Sequence, residues 1–151
     1  MTTSYILVAN KVDSVAGGYI PAREIVERRV AAGRWPLFKN TPHQREVRPG
    51  DDLIIYLAGN KERRFVALST AGVMRPGRTY EADGADALTN APFQQLLISD
   101  VKWLNRPVPI SEVKDELMFV PKGTRKWGCV LQRGIKKISA EDADIIRRRG
   151  S

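Results

Sequence analysis

The apolar run Tyr5-Ile6-Leu7-Val8-Ala9 constrains this chain more than any other feature. It is short, rich in β-formers and free of polar alternation, so it predicts a strand buried on both faces. Asn10-Lys11 follows at its end, where side chains can point into a pocket. The clearest strand, Leu53-Ile54-Ile55-Tyr56-Leu57, is launched by Arg48-Pro49-Gly50-Asp51-Asp52. Proline fixes one φ there and glycine takes the unusual one, which predicts a tight turn. Gly59-Asn60-Lys61 turns the chain again, and Phe65-Val66-Ala67-Leu68 returns as an antiparallel partner.

A helix is predicted between Pro21, well placed at a first helical position, and Gly33, a natural C-terminal stop. Ala22, Ile25, Val26, Val30 and Ala31 recur at helical spacing, and Arg23, Glu24, Glu27, Arg28 and Arg29 fill a solvated face. Pro36 pushes Trp35 into an extended conformation, so residues 35–38 read as a loop entering the core. Arg75 to Pro92 reads as a long loop, of a length that is often functional. Leu96 to Leu104 is the next predicted strand, and Ser111 is placed to cap a short helix whose Val113 and Leu117 share a face. Trp127 to Gln132 reads as the last strand. Ser139-Ala140-Glu141-Asp142 has the form of a helix start, with Ile138 and Ala143 as a hydrophobic staple. Arg147, Arg148 and Arg149 then meet that helix's C-terminal dipole. The 151 residues are one domain by length, and mixed strands with flanking helices predict an α+β fold around a curved, mostly antiparallel sheet.

Charge is distributed unevenly. The net charge is +8, and the segment from Lys122 to Ser151 holds nine basic residues against three acidic ones. Lys122, Arg125 and Lys126 lie around Trp127 in a stretch that alternates cations with apolar and turn residues. Cations neutralise phosphates and an indole offers a stacking face, so nucleic acid is the first partner suggested. The single cysteine, Cys129, excludes an internal disulfide and multi-cysteine zinc sites. No run is long enough for an apolar membrane span, and a cytoplasmic protein is expected.

Catalytic motifs are absent: no phosphate-binding G-x-x-x-x-G-K-[ST], no G-x-G-x-x-G and no G-x-S-x-G. His43, the only histidine, stands near Thr41 and is the best candidate base, though a polar loop role suits it better. Glu81, Asp83 and Asp86 cluster in the long loop, where carboxylates are more often solvated than metal-binding. No metal or cofactor site is assigned. Among the aromatics, Tyr56 and Trp103 fit strand interiors, whereas Trp35 and Trp127 sit at edges where a tryptophan can wall a pocket for a flat ligand.

The ordered set of these segments resembles the EVE domain family, within the PUA-like group that includes the YTH readers of methylated adenine. The segments are Tyr5 to Asn10, Trp35-Pro36-Leu37, Arg48-Pro49-Gly50-Asp51, Val101-Lys102-Trp103, Val108-Pro109-Ile110, Leu117 to Lys122, Arg125-Lys126-Trp127-Gly128 and Ile138 to Asp142. The resemblance implies a barrel-like β-sheet flanked by helices. It also implies a pocket between the first strand's end, the post-helix Trp35 and a later loop. It implies Trp35 as a cage wall and Asn10 as a reader of a base edge, with Tyr80 or Phe93 supplying the second wall in place of a tryptophan. The leading expectation is a non-enzymatic reader of a modified or flipped base in DNA or RNA. The base lies beside Trp35, opposed by Tyr80, Phe93 or Trp127. Asn10 and Thr41 bond its edge, and Lys122, Arg125 and Lys126 grip phosphates. A small PUA-like nuclease or amidohydrolase is the alternative, using His43, Lys126 or the Glu81, Asp83 and Asp86 cluster. A protein-interaction domain is the third reading.

Overall fold

The computed structural model describes residues 2–77, 82–84, 87–88, 92–122, 131 and 134–151. Strand β1 (Ser4–Ala9) is buried along its whole length. It runs parallel to β5 (Asp52–Leu57), with Ser4 opposite Asp52 and Ala9 opposite Leu57. Side chains alternate across a strand, so the pair feeds two cores. Tyr5, Leu7, Ala9, Leu53, Ile55 and Leu57 pack on one face. Ile6, Val8, Ile54 and Tyr56 pack on the other. Helix α1 (Ala22–Ala32) covers the first face through Ala22 and Val26. Helices α2 (Ile110–Val113) and α3 (Ala140–Gly150) cover the second through Ile110, Val113, Ala143 and Ile146.

The remaining strands are a short hairpin of β2 (Val12–Asp13) and β3 (Tyr19–Ile20), then β4 (Arg34–Leu37), β6 (Arg64–Pro76), β7 (Gln94–Pro109) and β8 (Ile135–Ile138). The main sheet has six strands in the order β4-β7-β6-β5-β1-β8, all neighbours antiparallel except β1 and β5. It curls into a half-barrel with helices on both faces, an α+β fold.

Several local expectations hold. Gly33 ends α1 at φ 68 and donates to the carbonyls of Arg29 and Val30. The Arg48–Asp52 turn forms with Gly50 at φ 93. Its buried Asp51 carboxylate accepts the N–H of Arg48 at 2.8 Å and of Thr3 at 3.1 Å. Ser139 caps α3 by accepting the Asp142 N–H at 3.1 Å, and Ile138 and Ala143 are both buried.

Others are corrected. Residues 34–37 form a strand rather than a loop, paired with β7 so that Pro36 faces Gln95. Proline is tolerated there because β4 lies at the sheet's edge. Residues 135–138 form the opposite edge strand, which the sequence reading missed. Its Ile-Lys-Lys-Ile pattern is brief, and the lysines protect the edge from further pairing. The last strand expected at Trp127–Gln132 lies, apart from Leu131, outside the described residues. Ser111 lies inside α2, whose N-cap is Pro109.

Asp142 does not turn back toward its own helix start. Its buried carboxylate accepts the N–H of Met118 at 2.9 Å and of Phe119 at 3.3 Å, and so ties α3 to the segment after α2. Asp142→Ala leaves these donors without a partner and is expected to cost about 3 kcal/mol, from charged hydrogen bonds worth roughly 1.5–3 kcal/mol each. Chemical denaturation with an unchanged m-value checks it.

Candidate functional site

Trp35 is the residue on which the expected pocket depended. Its indole is 1% exposed and belongs to the core that α1 covers. The Arg29 guanidinium lies over the ring, 4.7 Å from its centroid. Arg29 in turn grips Asp83 with two parallel bonds, Nε to Oδ1 at 2.9 Å and Nη2 to Oδ2 at 3.0 Å. Arg28 donates to the Asp83 carbonyl as well. Trp35 therefore does not wall an open hollow, and that expectation is corrected: the helix supplies a cation that occupies its face. Two further expectations change with it. Arg29 is buried rather than solvated, and Asp83 serves as its counter-ion rather than a solvated carboxylate. A position four residues after Ile25 and three after Val26 lies on the buried face of α1, so helical spacing alone held the signal for Arg29.

The loop from Phe38 to Arg48 leaves β4 and crosses to β5. Lys39, Asn40, Thr41, His43, Gln44, Arg45 and Glu46 line a shallow bowl of about 290 Å³ along it. Gln44 holds the loop together, its amide donating to the carbonyls of Phe38, Lys39 and Thr41. Gln94 on β7 donates to Gln44 at 3.0 Å. Thr41 Oγ1 accepts the Phe38 N–H at 2.9 Å. Phe93, 53% exposed, donates its backbone N–H to Leu37 and so stands beside this loop. The β8 edge adjoins it too: Lys137 lies 3.8 Å from Glu46, and a Cβ at Gly134 would come within 3.2 Å of Thr41. Lys39, Arg45, Arg48 and Lys137 are exposed and Lys136 is half-buried, with Glu46 as the loop's acid.

Two ionisable groups here are shifted. The Glu46 carboxyl falls below its ordinary 4.5, first because His43 hydrogen-bonds to it and then through the charges of His43 and Lys137, against some desolvation. Burial, then the charges of Asp51 and Glu46, pushes the Tyr5 phenol up.

Asn10 is exposed and lies elsewhere. A cleft of about 340 Å³ opens where β1 and β5 end together, lined by Asn10, Lys11, Tyr19, Pro21, Ala22 and the turn at residues 58–62. Asn10 and Thr41 thus line separate concavities. Lys122 is exposed. Tyr80, Trp127, Arg125 and Lys126 lie outside the described residues, as do Glu81 and Asp86. Among the described residues no group of three or more His, Cys, Asp or Glu side chains is placed to hold a metal ion. No described helix is long and apolar enough to cross a membrane.

The curled sheet and its helices are those of the PUA-like fold. Solved structures with a similar arrangement include a DUF55 domain and an ASCH protein. Human THYN1, solved in complex with 5-methylcytosine-containing DNA, aligns at 13% identity over 99% of this chain and 98% of that one, with a TM-score of 0.66. The DUF55 domain of human thymocyte nuclear protein 1 aligns at 13% identity over 99% of each chain, with a TM-score of 0.61. An ASCH protein from Zymomonas mobilis aligns at 8% identity over 99% and 96%, with a TM-score of 0.62. At these identities the likeness shows the fold. No protein-family model matches the chain, and no curated protein matches it in sequence.

Removing one member of a buried ion pair strands the other, at a cost of about 3–5 kcal/mol. Asp83→Ala is expected to destabilise by that amount in urea unfolding, whereas the double change Arg29→Met with Asp83→Leu loses much less. The Glu46 shift makes a separate prediction. A carboxyl depressed in the folded state adds stability above its unfolded value, lost as pH falls through the folded one. The NMR titration of Glu46 should have its midpoint below 4.5, and His43→Ala should move it back toward that value.

Proposed function

We propose that this protein is a nucleic-acid-binding module that reads a modified or flipped base in DNA or RNA without acting on it chemically. The carrying observation is the set of cations gathered around the Thr41 bowl: Lys39, Arg45 and Arg48 from one loop and Lys137 from the neighbouring edge strand. Phosphates repay such a surface by releasing condensed counterions, and a concavity among the cations gives an extruded base somewhere to go. Phe93, exposed and tied through its backbone to the strand that leads into the loop, is assigned the stacking role. Gln44 and Thr41 are already committed to holding the loop, so they shape the bowl more than they read an edge. The fold supports the same reading, since THYN1 has been solved on 5-methylcytosine DNA.

Fluorescence anisotropy with DNA and RNA oligonucleotides, each with and without modified bases, tests this. Affinity should fall steeply with salt, by a slope of roughly 0.7–0.9 per phosphate neutralised. The pair Lys39→Ala with Arg45→Ala should reduce that slope by about 2 for every sequence. Phe93→Ala should weaken binding by about 1–3 kcal/mol. A flat salt response, or no discrimination among modified bases at any salt, overturns the corresponding half of the proposal.

A further inference from the structure

Imidazole is the side chain best suited to change charge near neutral pH, and the basic bowl is lined by one, His43. Its backbone is left-handed, with φ 60, a conformation that residues other than glycine seldom adopt. Two bonds keep it there. The Glu46 N–H donates to the His43 carbonyl at 2.9 Å, and the ring Nδ1 meets the Glu46 carboxylate. The Tyr5 ring of β1 lies beside the imidazole, 6.4 Å between centroids. Nε2, the other ring nitrogen, makes no hydrogen bond among the described residues, and the side chain is 34% exposed. Strained residues that their surroundings over-determine cluster at binding and switch sites.

The partner of Nδ1 decides what Nε2 offers. The Glu46 carboxyl lies below its ordinary value, first through this hydrogen bond, so it is ionised at neutral pH and only accepts. Nδ1 therefore carries the proton. In the neutral ring Nε2 is then a bare acceptor, which repels a phosphate oxygen. In the imidazolium it is a second N–H donor. The charges nearby favour an anion. Lys39 and Arg45, on the same loop, are exposed, and their side chains pair with no acid among the described residues. Lys137 of β8 lies 3.8 Å from the other Glu46 oxygen, so one acid is divided between Lys137 and His43. Asp51 and Arg48 of the neighbouring turn act on the Tyr5 phenol, and Asp51 is committed to the N–H groups of Arg48 and Thr3. Glu46 is the one carboxylate among the residues lining the bowl.

We propose that His43 is a phosphate ligand of the bowl that engages only as the imidazolium, positioned by Glu46, so that docking of a strand takes up a proton. The proposal deepens the nucleic-acid reading and rests on it for the source of the phosphate. The bound state holds the additional proton, so affinity rises as pH falls and is lost as the ring is neutralised. Phosphodiesters keep their charge throughout this range, so the dependence belongs to the protein.

The test is fluorescence anisotropy of the full chain with single-stranded oligothymidylate and, separately, oligouridylate, at pH 6 and pH 8 and one ionic strength. Calorimetry in two buffers counts the protons. Binding should be tighter at pH 6, by up to about tenfold per pH unit, with about one proton taken up. His43→Asn tolerates the left-handed backbone and cannot become charged. It should abolish the pH dependence and leave affinity at pH 8 near wild type. Glu46→Gln should shrink the dependence too, since Nε2 can then carry the proton in the neutral ring. Amide NMR with inorganic sulfate supplies an arm without nucleic acid: Lys39, His43 and Arg45 should shift at pH 6 and much less at pH 8. If the oligonucleotides bind equally at both pH values, or His43→Asn keeps the full dependence, the His43 assignment is overturned and the nucleic-acid reading stands. If sulfate gives the pH-dependent shifts while neither oligonucleotide binds, the proton-linked anion site is upheld with another source for its anion, and the nucleic-acid reading falls. If neither sulfate nor oligonucleotide moves these amides, the proposal is wrong.

Discussion

Two parallel strands buried on both faces set the terms for everything else in this fold. Side by side, β1 and β5 expose almost no apolar surface in either direction, because each face is roofed by helix. A parallel pair also needs a crossover, and α1 with β4 supplies it between them. Each fully buried aliphatic side chain contributes about 1.5–3 kcal/mol, against a net stability of about 5–15 kcal/mol for a domain. The pair is therefore the least negotiable part of the molecule. Because parallel strands end at the same side, their trailing residues must diverge there. Asn10 and the turn at residues 58–62 open the cleft for that reason.

The second organising contact is the stack of Trp35, Arg29 and Asp83. A guanidinium out of water is tolerated because its charge is met by a carboxylate in fork geometry and its flat face by an indole. This links the helix, an edge strand and the long loop into one unit. It also explains how a tryptophan placed after the helix, in a chain of this fold, comes to serve structure here. Among the described residues, Phe93 and Tyr19 leave aromatic surface to solvent, the first near the bowl and the second in the cleft.

Much of the fold was legible because its signals are local. The unbroken apolar run of β1, the proline–glycine turn before β5, the αL glycine after α1 and the serine cap of α3 each act within a few residues. The edge strands β4 and β8 were not legible: a proline in one and two lysines in the other weaken the strand pattern, and only pairing with β7 and β1 settles their state. Of the candidate site, Asn10 and Phe93 were found as exposed residues beside concave or looped surface, while Tyr19 lay in a two-residue strand too short to announce itself.

What the sequence determined alone was periodicity: which stretches alternate, which do not, where the chain turns, and that its charge is strongly positive. Those are short-range properties, written in neighbouring residues. Tertiary structure decided which side of the molecule each residue met. It brought Arg29 from one turn of a helix onto the Trp35 indole and Asp83 from far along the chain onto Arg29, and it set Tyr19 and Asn60 on one cleft. A side chain's accessibility is the sum of contacts made by distant segments, and no local pattern contains that sum.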